Sequence, residues 1–351
     1  MRKLLRKTFE EHNGKLSDKW AFYLAEWDRL FIPYKKLKIR LLEIGVQNGG
    51  SLEVFGKYFS NAEKIVGCDI DPKCEILRYK DDRIAIVVGD ANSDGGESEI
   101  LRQAPSFDII IDDGSHKSSD IVRSFARYFP HINDGGIYIV EDMHASYWKD
   151  YEGGLHNPLS AMSFFKRLAD VTNYEHWRNN KSRESLLAAF AENLEIKFEE
   201  LQLNKIHSIE FLNSLCIIKK CQPERNILGK RIIVGTEESV TSGWKSSNGT
   251  VIQDFAMDIS DDTNLDVFEL TAQVAEKEQA VQSLTAQVAE KEQAVQALSA
   301  QVADQLKENQ TLNNQLTQSQ QEVLFYALSK SWRFTRPLRK IMRFMRGKKN
   351  A

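Results

Sequence analysis

Several features that define special classes of protein are scarce in this chain of 351 residues. It has only four cysteines, and none of them forms a CxxC pair: Cys68, Cys74, Cys216 and Cys221. So few cysteines exclude a disulfide scaffold, and we expect all four to be reduced thiols. Hydrophobic residues make up 42% of the chain and charged residues 28%, which excludes a collagen-like or wholly disordered protein.

Long apolar runs are also missing. No segment approaches the roughly 20 apolar residues that a membrane-spanning helix needs. The basic N-terminus, MRKLLRK, is not followed by the apolar core of a signal peptide. We therefore expect a cytoplasmic protein whose association with a membrane, if any, is peripheral.

Acidic residues are absent from residues 329–351, which contain nine Lys or Arg although the whole chain has a net charge of −3. After Pro337, apolar and basic residues fall on opposite helical faces. The apolar face has Leu338, Ile341, Met342 and Met345, and the basic face has Arg339, Lys340, Arg343 and Arg346. Such a helix is typical of binding to an anionic membrane surface. Docking to a partner protein, such as a polysaccharide-assembly enzyme, is the alternative, and we do not expect nucleic acid binding.

Strand-like apolar runs alternate with helical segments over residues 1–222. The runs are residues 41–46, 65–70, 84–88, 107–112 and 137–141. This alternation predicts an α/β fold with a Rossmann-like, doubly wound, mostly parallel sheet. Residues 207–219 contain two further runs around Asn213-Ser214 and predict an antiparallel hairpin at the sheet edge. Residues 16–32 predict an amphipathic helix, in which we expect Trp20, Phe22, Tyr23 and Trp27 to pack.

The C-terminal third has a different character. Residues 223–269 are polar and predict a linker or a small β element. The sequence LTAQVAEKEQAVQ then occurs twice, and valines at position a with leucines at position d predict a coiled coil over residues 270–326. We expect self-association as a dimer or trimer, and a single solvated helix is the alternative. Residues 327–351 form the basic tail.

The first predicted strand ends in a glycine-rich turn, Glu43 to Ser51. Its glycine spacing differs from the GxGxxG of dinucleotide-binding proteins, which disfavours a nicotinamide enzyme. An acidic residue before the turn suits a cationic ligand, and S-adenosylmethionine carries a sulfonium and an ammonium. Asp69 and Asp90 end the next two strands, where they can meet ribose and adenine; simple helix capping is the alternative. The predicted cofactor-binding residues are Glu43, Gly45, Gln47, Asn48, Gly49, Ser51, Asp69, Asp90 and Asp112.

Two further strands end in acidic residues at the same carboxyl edge. Asp113, Glu141 and Asp142 repel one another unless a cation joins them, and their oxygen ligands favour Mg²⁺ or Mn²⁺. Histidine is the side chain that most often acts as a general base, and His116 follows Asp113 by three residues. We expect it to accept the proton of a substrate hydroxyl. His144, Tyr147 and Trp148 are predicted to border the acceptor.

The segments LLEIGVQNGGS, FDIIIDDGSH and GGIYIVEDMHASYW resemble the class I S-adenosylmethionine-dependent O-methyltransferases of the macrocin and mycinamicin type. The resemblance covers about residues 10–222. It implies magnesium-dependent methyl transfer to a sugar hydroxyl, with Asp113, Glu141 and Asp142 holding the metal and His116 as the base. Gln47 departs from the wider methyltransferase pattern, which has a second glycine there.

The tail segment SWRFTRPLR, after a coiled coil, resembles bacterial surface-polysaccharide enzymes, including O-antigen chain-terminating methyltransferases. This resemblance implies a glycan or glycolipid acceptor whose chain end is capped, and a location at the inner face of the cell membrane. Two alternatives stay open. One is a non-catalytic coiled-coil scaffold or chain-length regulator, and the other is a methyltransferase acting on a small glycosylated natural product.

Overall fold

A computed structural model describes residues 4–177, 181–252 and 267–347 of the chain. The chain divides into two units, Met1–Ala275 and Glu276–Ala351. The strands are β1 Arg40–Ile44, β2 Lys64–Asp69, β3 Ile84–Val88, β4 Phe107–Asp112, β5 Ile132–Val140, β6 Ile206–Leu212 and β7 Leu215–Lys220. The helices of the first unit are α1 Leu5–Glu10, α2 Ala21–Phe31, α3 Gly50–Tyr58, α4 Asp94–Gln103, α5 Ser118–Tyr128, α6 Ala161–Val171, α7 Ala188–Leu194 and α8 Glu200–Leu203.

The seven strands form one sheet in the order β3-β2-β1-β4-β5-β7-β6. Strands β1 to β5 pair in parallel, and β7 joins β5 in the antiparallel direction with β6 outside it. The predicted mostly parallel sheet with an antiparallel edge hairpin is therefore confirmed. The turn of that hairpin is Asn213-Ser214, as expected.

Apolar residues of the central strands are buried on both sides of the sheet, which is why these strands are nearly continuous hydrophobic runs. Leu42 and Ile110 point into one apolar cluster, and Leu41 and Ile109 into the other. Strand β5 begins five residues before its predicted start at residue 137. Residues 133–136 have the composition of a turn, but they belong to β5. The pairing of β4 with β5 is irregular there: Phe107 pairs with Ile132, whereas Ile109 pairs with Ile137.

The predicted helix over residues 16–32 is correct only for Ala21–Phe31. Residues 16–20 have no regular secondary structure, and the backbone oxygen of Leu16 accepts a hydrogen bond from the Gly50 amide at 3.1 Å. Trp27 packs in the core as expected, whereas Trp20 is 60% exposed. The pairing with α3 holds residues 16–20 out of the helix and brings them to the carboxyl edge of the sheet.

Residues 223–252 contain turns and two short 3₁₀ helices, with no strand in this described part of the predicted 223–269 segment. The remainder of that segment lies partly outside the described residues, as do residues 348–351 of the predicted tail. In the C-terminal part, α9 spans Val267–Leu328, α10 spans Lys330–Phe334 and α11 spans Arg336–Gly347. No helix in the described ranges is long and apolar enough to cross a membrane.

Candidate active site

One cavity of about 860 Å³ opens at the carboxyl edge of the parallel strands. In an open α/β sheet this is the place where ligands bind, because neighbouring strand-to-helix loops diverge there. The predicted site residues that line it are Glu43, Gly45, Gln47, Asn48, Ser51, Asp69, Asp90, Asp112, Asp113, His116, Glu141 and Asp142. Gly49 is not among the lining residues; it caps α3 instead, with a φ of 76°.

The glycine turn after β1 is shaped by close backbone contacts. Gly45 has a φ of +88°, and a Cβ atom there would lie 2.1 Å from the backbone oxygen of Asp113. Asp69 Oδ2 accepts hydrogen bonds from the Val46 and Gln47 amides at 2.9 and 2.8 Å. In this structure, therefore, Asp69 holds the turn. Its predicted contact with a ribose stays a prediction.

Glu43 is the acid beneath this turn, and its side chain is only 1% exposed. Its Oε2 accepts a hydrogen bond from Ser51 Oγ at 2.5 Å, whereas no described donor hydrogen-bonds to Oε1. Burial raises the pKa of Glu43 to about 7. Oε1 does lie 3.7 Å from the Lys19 ammonium. A buried carboxylate of this kind fits a cationic ligand better than a pyrophosphate, because it would repel a second negative charge.

Asp112 lies deeper than its neighbours. It is buried, and Tyr138 donates a hydrogen bond from its hydroxyl to Asp112 Oδ2 at 3.1 Å. Burial raises the pKa of Asp112 to about 7. Asp112 lines the cavity, and its predicted contact with the cofactor stays a prediction.

Three side chains at the ends of β4 and β5 can meet at one point. Ligand atoms of Asp113, His116 and Asp142 all lie within 4.8 Å of one another. His116 and Asp142 have φ values of 58° and 52°, a left-handed conformation that is uncommon for residues other than glycine. Backbone strain of this kind is concentrated at functional sites. The two carboxylates and the imidazole fit a divalent cation such as Mg²⁺ or Mn²⁺.

Glu141, the third predicted metal ligand, is 1% exposed and bonds elsewhere. Its Oε2 accepts a hydrogen bond from Lys19 Nζ at 2.8 Å, and the same ammonium donates to Asp113 Oδ2. Glu141 Oε1 is buried and hydrogen-bonds to no described residue. Burial raises the pKa of Glu141. Its free buried oxygen leaves Glu141 available as a ligand.

A hydrogen-bond network connects Asp142 to two other elements. Tyr23 of α2 donates from its hydroxyl to Asp142 Oδ1 at 2.8 Å, and that hydroxyl also lies 2.7 Å from Ser214 Oγ. Ser214, in the β6–β7 turn, in turn contacts His144 Nδ1 at 2.5 Å. Trp20 donates its indole N–H to Asp142 Oδ1 at 3.0 Å. The position of Asp142 thus depends on α2 and on the edge hairpin.

Aromatic rings form a rim beside this cluster. His144 lies edge-on to Trp148, with ring centroids 4.8 Å apart, and Trp20 lies 6.2 Å from His144 on another side. Trp148 is 6.0 Å from Tyr151, whose ring is 6.3 Å from that of His116. Trp148 and Tyr147 are 52% and 41% exposed. None of the predicted acceptor residues His144, Tyr147 and Trp148 lines the main cavity.

Sequence reasoning missed five residues that contact the site: Lys19, Trp20, Tyr23, Tyr151 and Ser214. Three of them come from the N-terminal segment, which carries no motif and for which the sequence predicts only a packing helix. One signal was available, however. Several acids at one sheet edge need a cation, and that cation can be a lysine of the same chain.

Replacing Tyr23 with Phe should lower the free energy of unfolding by about 1–3 kcal/mol, because Asp142 and Ser214 lose a buried partner. Urea unfolding followed by circular dichroism measures this. Tyr34→Phe is a matched control, since the Tyr34 hydroxyl also donates one buried hydrogen bond, to the Gly135 oxygen at 2.7 Å. Only Tyr23→Phe should also weaken Mn²⁺ binding. Equal Mn²⁺ affinity in the two variants would show that Tyr23 does not position Asp142.

The sheet order is that of a Rossmann-like domain, and the cavity lies at the carboxyl edge of its parallel strands. Residues 42–143 match the family model described as a methyltransferase domain. The match begins in β1 and ends just after Asp142, so it contains the glycine turn and all the acidic strand ends.

Three curated relatives are similar over the same part of the chain. The demethylmacrocin O-methyltransferase of Streptomyces fradiae is 34% identical over 182 residues, 48% of this chain and 45% of that protein. The 8-demethyl-8-alpha-L-rhamnosyl tetracenomycin-C 2'-O-methyltransferase of Streptomyces olivaceus is 32% identical over 177 residues, 48% and 46% of the two chains. The mycinamicin VI 2''-O-methyltransferase of Micromonospora griseorubida is 33% identical over 173 residues, 46% and 42%. The chain spans about half the length of these relatives.

A solved structure shows the same likeness. The MycE methyltransferase of the mycinamycin pathway, in complex with Mg, SAH and mycinamycin VI, is 26% identical. The aligned part covers 59% of this chain and 52% of that one, with a TM-score of 0.48.

Proposed function

We propose that the chain is an S-adenosylmethionine-dependent O-methyltransferase that acts on a sugar hydroxyl with the help of Mg²⁺ or Mn²⁺. The observation that carries the proposal is the arrangement at one sheet edge. A buried acid lies under a glycine turn, and two carboxylates and a histidine meet beside it. The family match of residues 42–143 and the names of the curated relatives support the same class of reaction.

The residues then divide the work. Glu43 would face the positive end of the cofactor, and Gly45 lets the Asp113 backbone pack against the turn that would hold it. Asp113, Glu141 and Asp142 hold the ion, while His116 accepts the proton of the acceptor hydroxyl. When bound, the cofactor supplies the methyl group and the ion supplies positive charge that favours the ionised hydroxyl. Holding both reactants at one edge is itself a large contribution to the rate.

The acceptor that we favour is a small glycosylated natural product. The curated relatives are named for macrolide and tetracenomycin sugars, which supports a soluble glycoside over a polymer. Trp148, which is 52% exposed, and the half-buried Tyr151 offer aromatic surface beside His144 and His116, where a sugar ring can pack. A glycoside has both an apolar ring face, which the aromatic rim can contact, and hydroxyl groups, which the ion can bind.

A second acceptor class is a surface polysaccharide or glycolipid, and it is favoured by the C-terminal helices. In α9, Val281 and Leu284 are 60% and 59% exposed, and the regular spacing of such residues suits a parallel pair or trio of helices. In α11, the exposed Leu338 and Ile341 lie opposite basic residues. Such an enzyme would be held on the inner face of a membrane. A non-catalytic scaffold that regulates chain length would also use α9 and α11.

Calorimetric titration of S-adenosylmethionine into the full chain tests the cofactor class, with NADH as the control ligand. Glu43→Gln should weaken binding by about 10- to 100-fold, because a charged hydrogen-bonding partner is lost. Glu53→Gln is the matched control: Glu53 pairs with Lys15 at 2.6 Å and does not line the cavity. Binding of NADH in preference to S-adenosylmethionine, or equal affinity of both variants, contradicts the proposal. Methyl transfer to rhamnosyl glycosides should stop in excess EDTA.

Vesicle sedimentation separates the two acceptor classes. A membrane-held enzyme should pellet with vesicles containing anionic lipid but not with neutral ones, and removal of residues 336–351 should abolish pelleting. Binding is expected to weaken with added salt, because charged lipid attraction is screened. If the full chain stays in the supernatant with anionic vesicles, the polysaccharide interpretation loses its main support.

A further inference from the structure

Lys19 is a lysine buried among acids. Its side chain is 4% exposed, and its ammonium hydrogen-bonds to Asp113 Oδ2 and to Glu141 Oε2 at 2.8 Å. Glu43 Oε1 lies 3.7 Å away. Lys19 thus lies between the proposed ion site and the proposed cofactor site, and it compensates charge in both.

Two of the proposed ion ligands, Asp113 and Glu141, each accept a hydrogen bond from Lys19 through one carboxylate oxygen. A divalent ion on these carboxylates would lie close to the ammonium, and two cations at short range repel each other strongly in a buried site. Asp113 contributes to both arrangements, since its carboxylate meets Lys19 and also belongs to the cluster with His116 and Asp142.

The backbone around Lys19 is attached to the site on both sides. Leu16 accepts a hydrogen bond from the Gly50 amide, and Trp20 donates one to Asp142. Leu16, Lys19 and Trp20 also line the cavity. Movement of the Lys19 ammonium would therefore be felt by residues 16–20, which line the cavity.

We propose that Lys19 is an internal cation that occupies the site in place of the divalent ion, so that ion binding expels its ammonium and loosens residues 16–20. This inference rests on the proposed function, because it assumes a divalent ion at Asp113, Glu141 and Asp142. The ion then both prepares the site for chemistry and opens the cavity to its ligands. Lys19 is a competitor of the ion and sets its affinity.

Mn²⁺ binding to the full chain, followed by the electron paramagnetic resonance of free Mn²⁺, measures the competition. Lys19→Met should bind Mn²⁺ about tenfold more tightly than wild type, a coupling of ordinary size between two sites. Lys15→Met is the matched control, because Lys15 lies in the same region but pairs with Glu53 outside the acid cluster. Its affinity for Mn²⁺ should equal that of wild type.

Gly50→Ala is an independent variant that keeps the Lys19 charge. A Cβ atom at Gly50 would lie 2.2 Å from the Lys15 oxygen and 2.5 Å from the Leu16 oxygen, so it must push the segment away. Gly50→Ala should therefore also tighten Mn²⁺ binding. If Lys19→Met fails to fold, this variant and the wild-type measurement below still decide the question.

Hydrogen exchange of the wild-type chain gives a readout without any substitution. Mg²⁺ should accelerate amide exchange in residues 16–20 and at Gly50, whose amide donates to Leu16. Equal Mn²⁺ affinity of wild type and Lys19→Met, or weaker binding by the variant, overturns the inference and leaves the proposed function intact. Exchange that Mg²⁺ leaves unchanged or slows overturns it as well. If neither protein binds Mn²⁺, the ion of the proposed function and this inference both fail.

Discussion

Replacement of His116 by Ala should lower the rate of methyl transfer by about 10²- to 10⁴-fold, the usual contribution of a general base. His116 Nε2 lies 3.6 Å from Asp142 Oδ2, so its ring is directed toward the ion site and the open rim. The affinity for S-adenosylmethionine should not change, because the proposed cofactor contacts are residues other than His116, at the ends of β1 to β4. Single-turnover transfer to a glycoside acceptor and calorimetry measure the two quantities separately.

The left-handed backbone at His116 requires a second variant. Asn adopts a positive φ more readily than Ala does, so His116→Asn keeps the loop and removes the base. His176→Ala, at a partly exposed position outside the cavity, is the control and should be fully active. Loss of Mn²⁺ binding together with activity would identify His116 as an ion ligand. Full activity of His116→Asn would exclude it as the base.

Gly45→Ala should be the most damaging small substitution in the glycine turn. The new Cβ meets the Asp113 backbone 2.1 Å away, and the φ of +88° is unfavourable for alanine. We expect a loss of about 2–5 kcal/mol from the free energy of unfolding, as the sum of strain and overpacking. Cofactor binding should be lost as well, since the glycine turn that would contact the cofactor is displaced.

Gly135→Ala separates the two causes. Gly135 has a φ of +80°, but a Cβ atom there would meet nothing within 4 Å. This variant should therefore lose only about 1–2 kcal/mol, the cost of the left-handed conformation, and keep cofactor affinity. Denaturant unfolding of both variants measures the difference. If they lose equal stability, the close approach of β1 and β4 does not constrain Gly45.

The parts of the molecule that follow from local patterns were predictable from sequence. Five apolar runs, each followed by acids or glycines, predicted the parallel sheet and the edge at which Glu43, Asp113 and Asp142 meet. Paired turn residues predicted the edge hairpin. These signals are strong because buried parallel strands must be apolar throughout and because ligand-binding loops follow their carboxyl ends.

The parts that depend on distant contacts were not predictable. Nothing near Lys19 in the sequence indicates that its side chain reaches acids about a hundred residues later. Tyr23 looked like one of several packing aromatics, and its hydroxyl contact with Asp142 depends on how α2 docks. The sequence predicts a β5 that is too short at its start, because the irregular residues 133–136 have the composition of a turn. The pairing of α9 with a second copy stays a prediction.

Lys19 also bears on how small an autonomous domain can be. The family match starts at residue 42, so a protein trimmed to that boundary retains every acid of the site but lacks Lys19 and Tyr23. Glu43 and Glu141 would then lose their lysine, and Asp142 would lose its phenol partner. Such a truncated domain would also lose the core packing of Leu24, Trp27 and Phe31, so it should be much less stable than the full chain. The minimal folding unit is therefore longer at its N-terminal side than the recognisable motif.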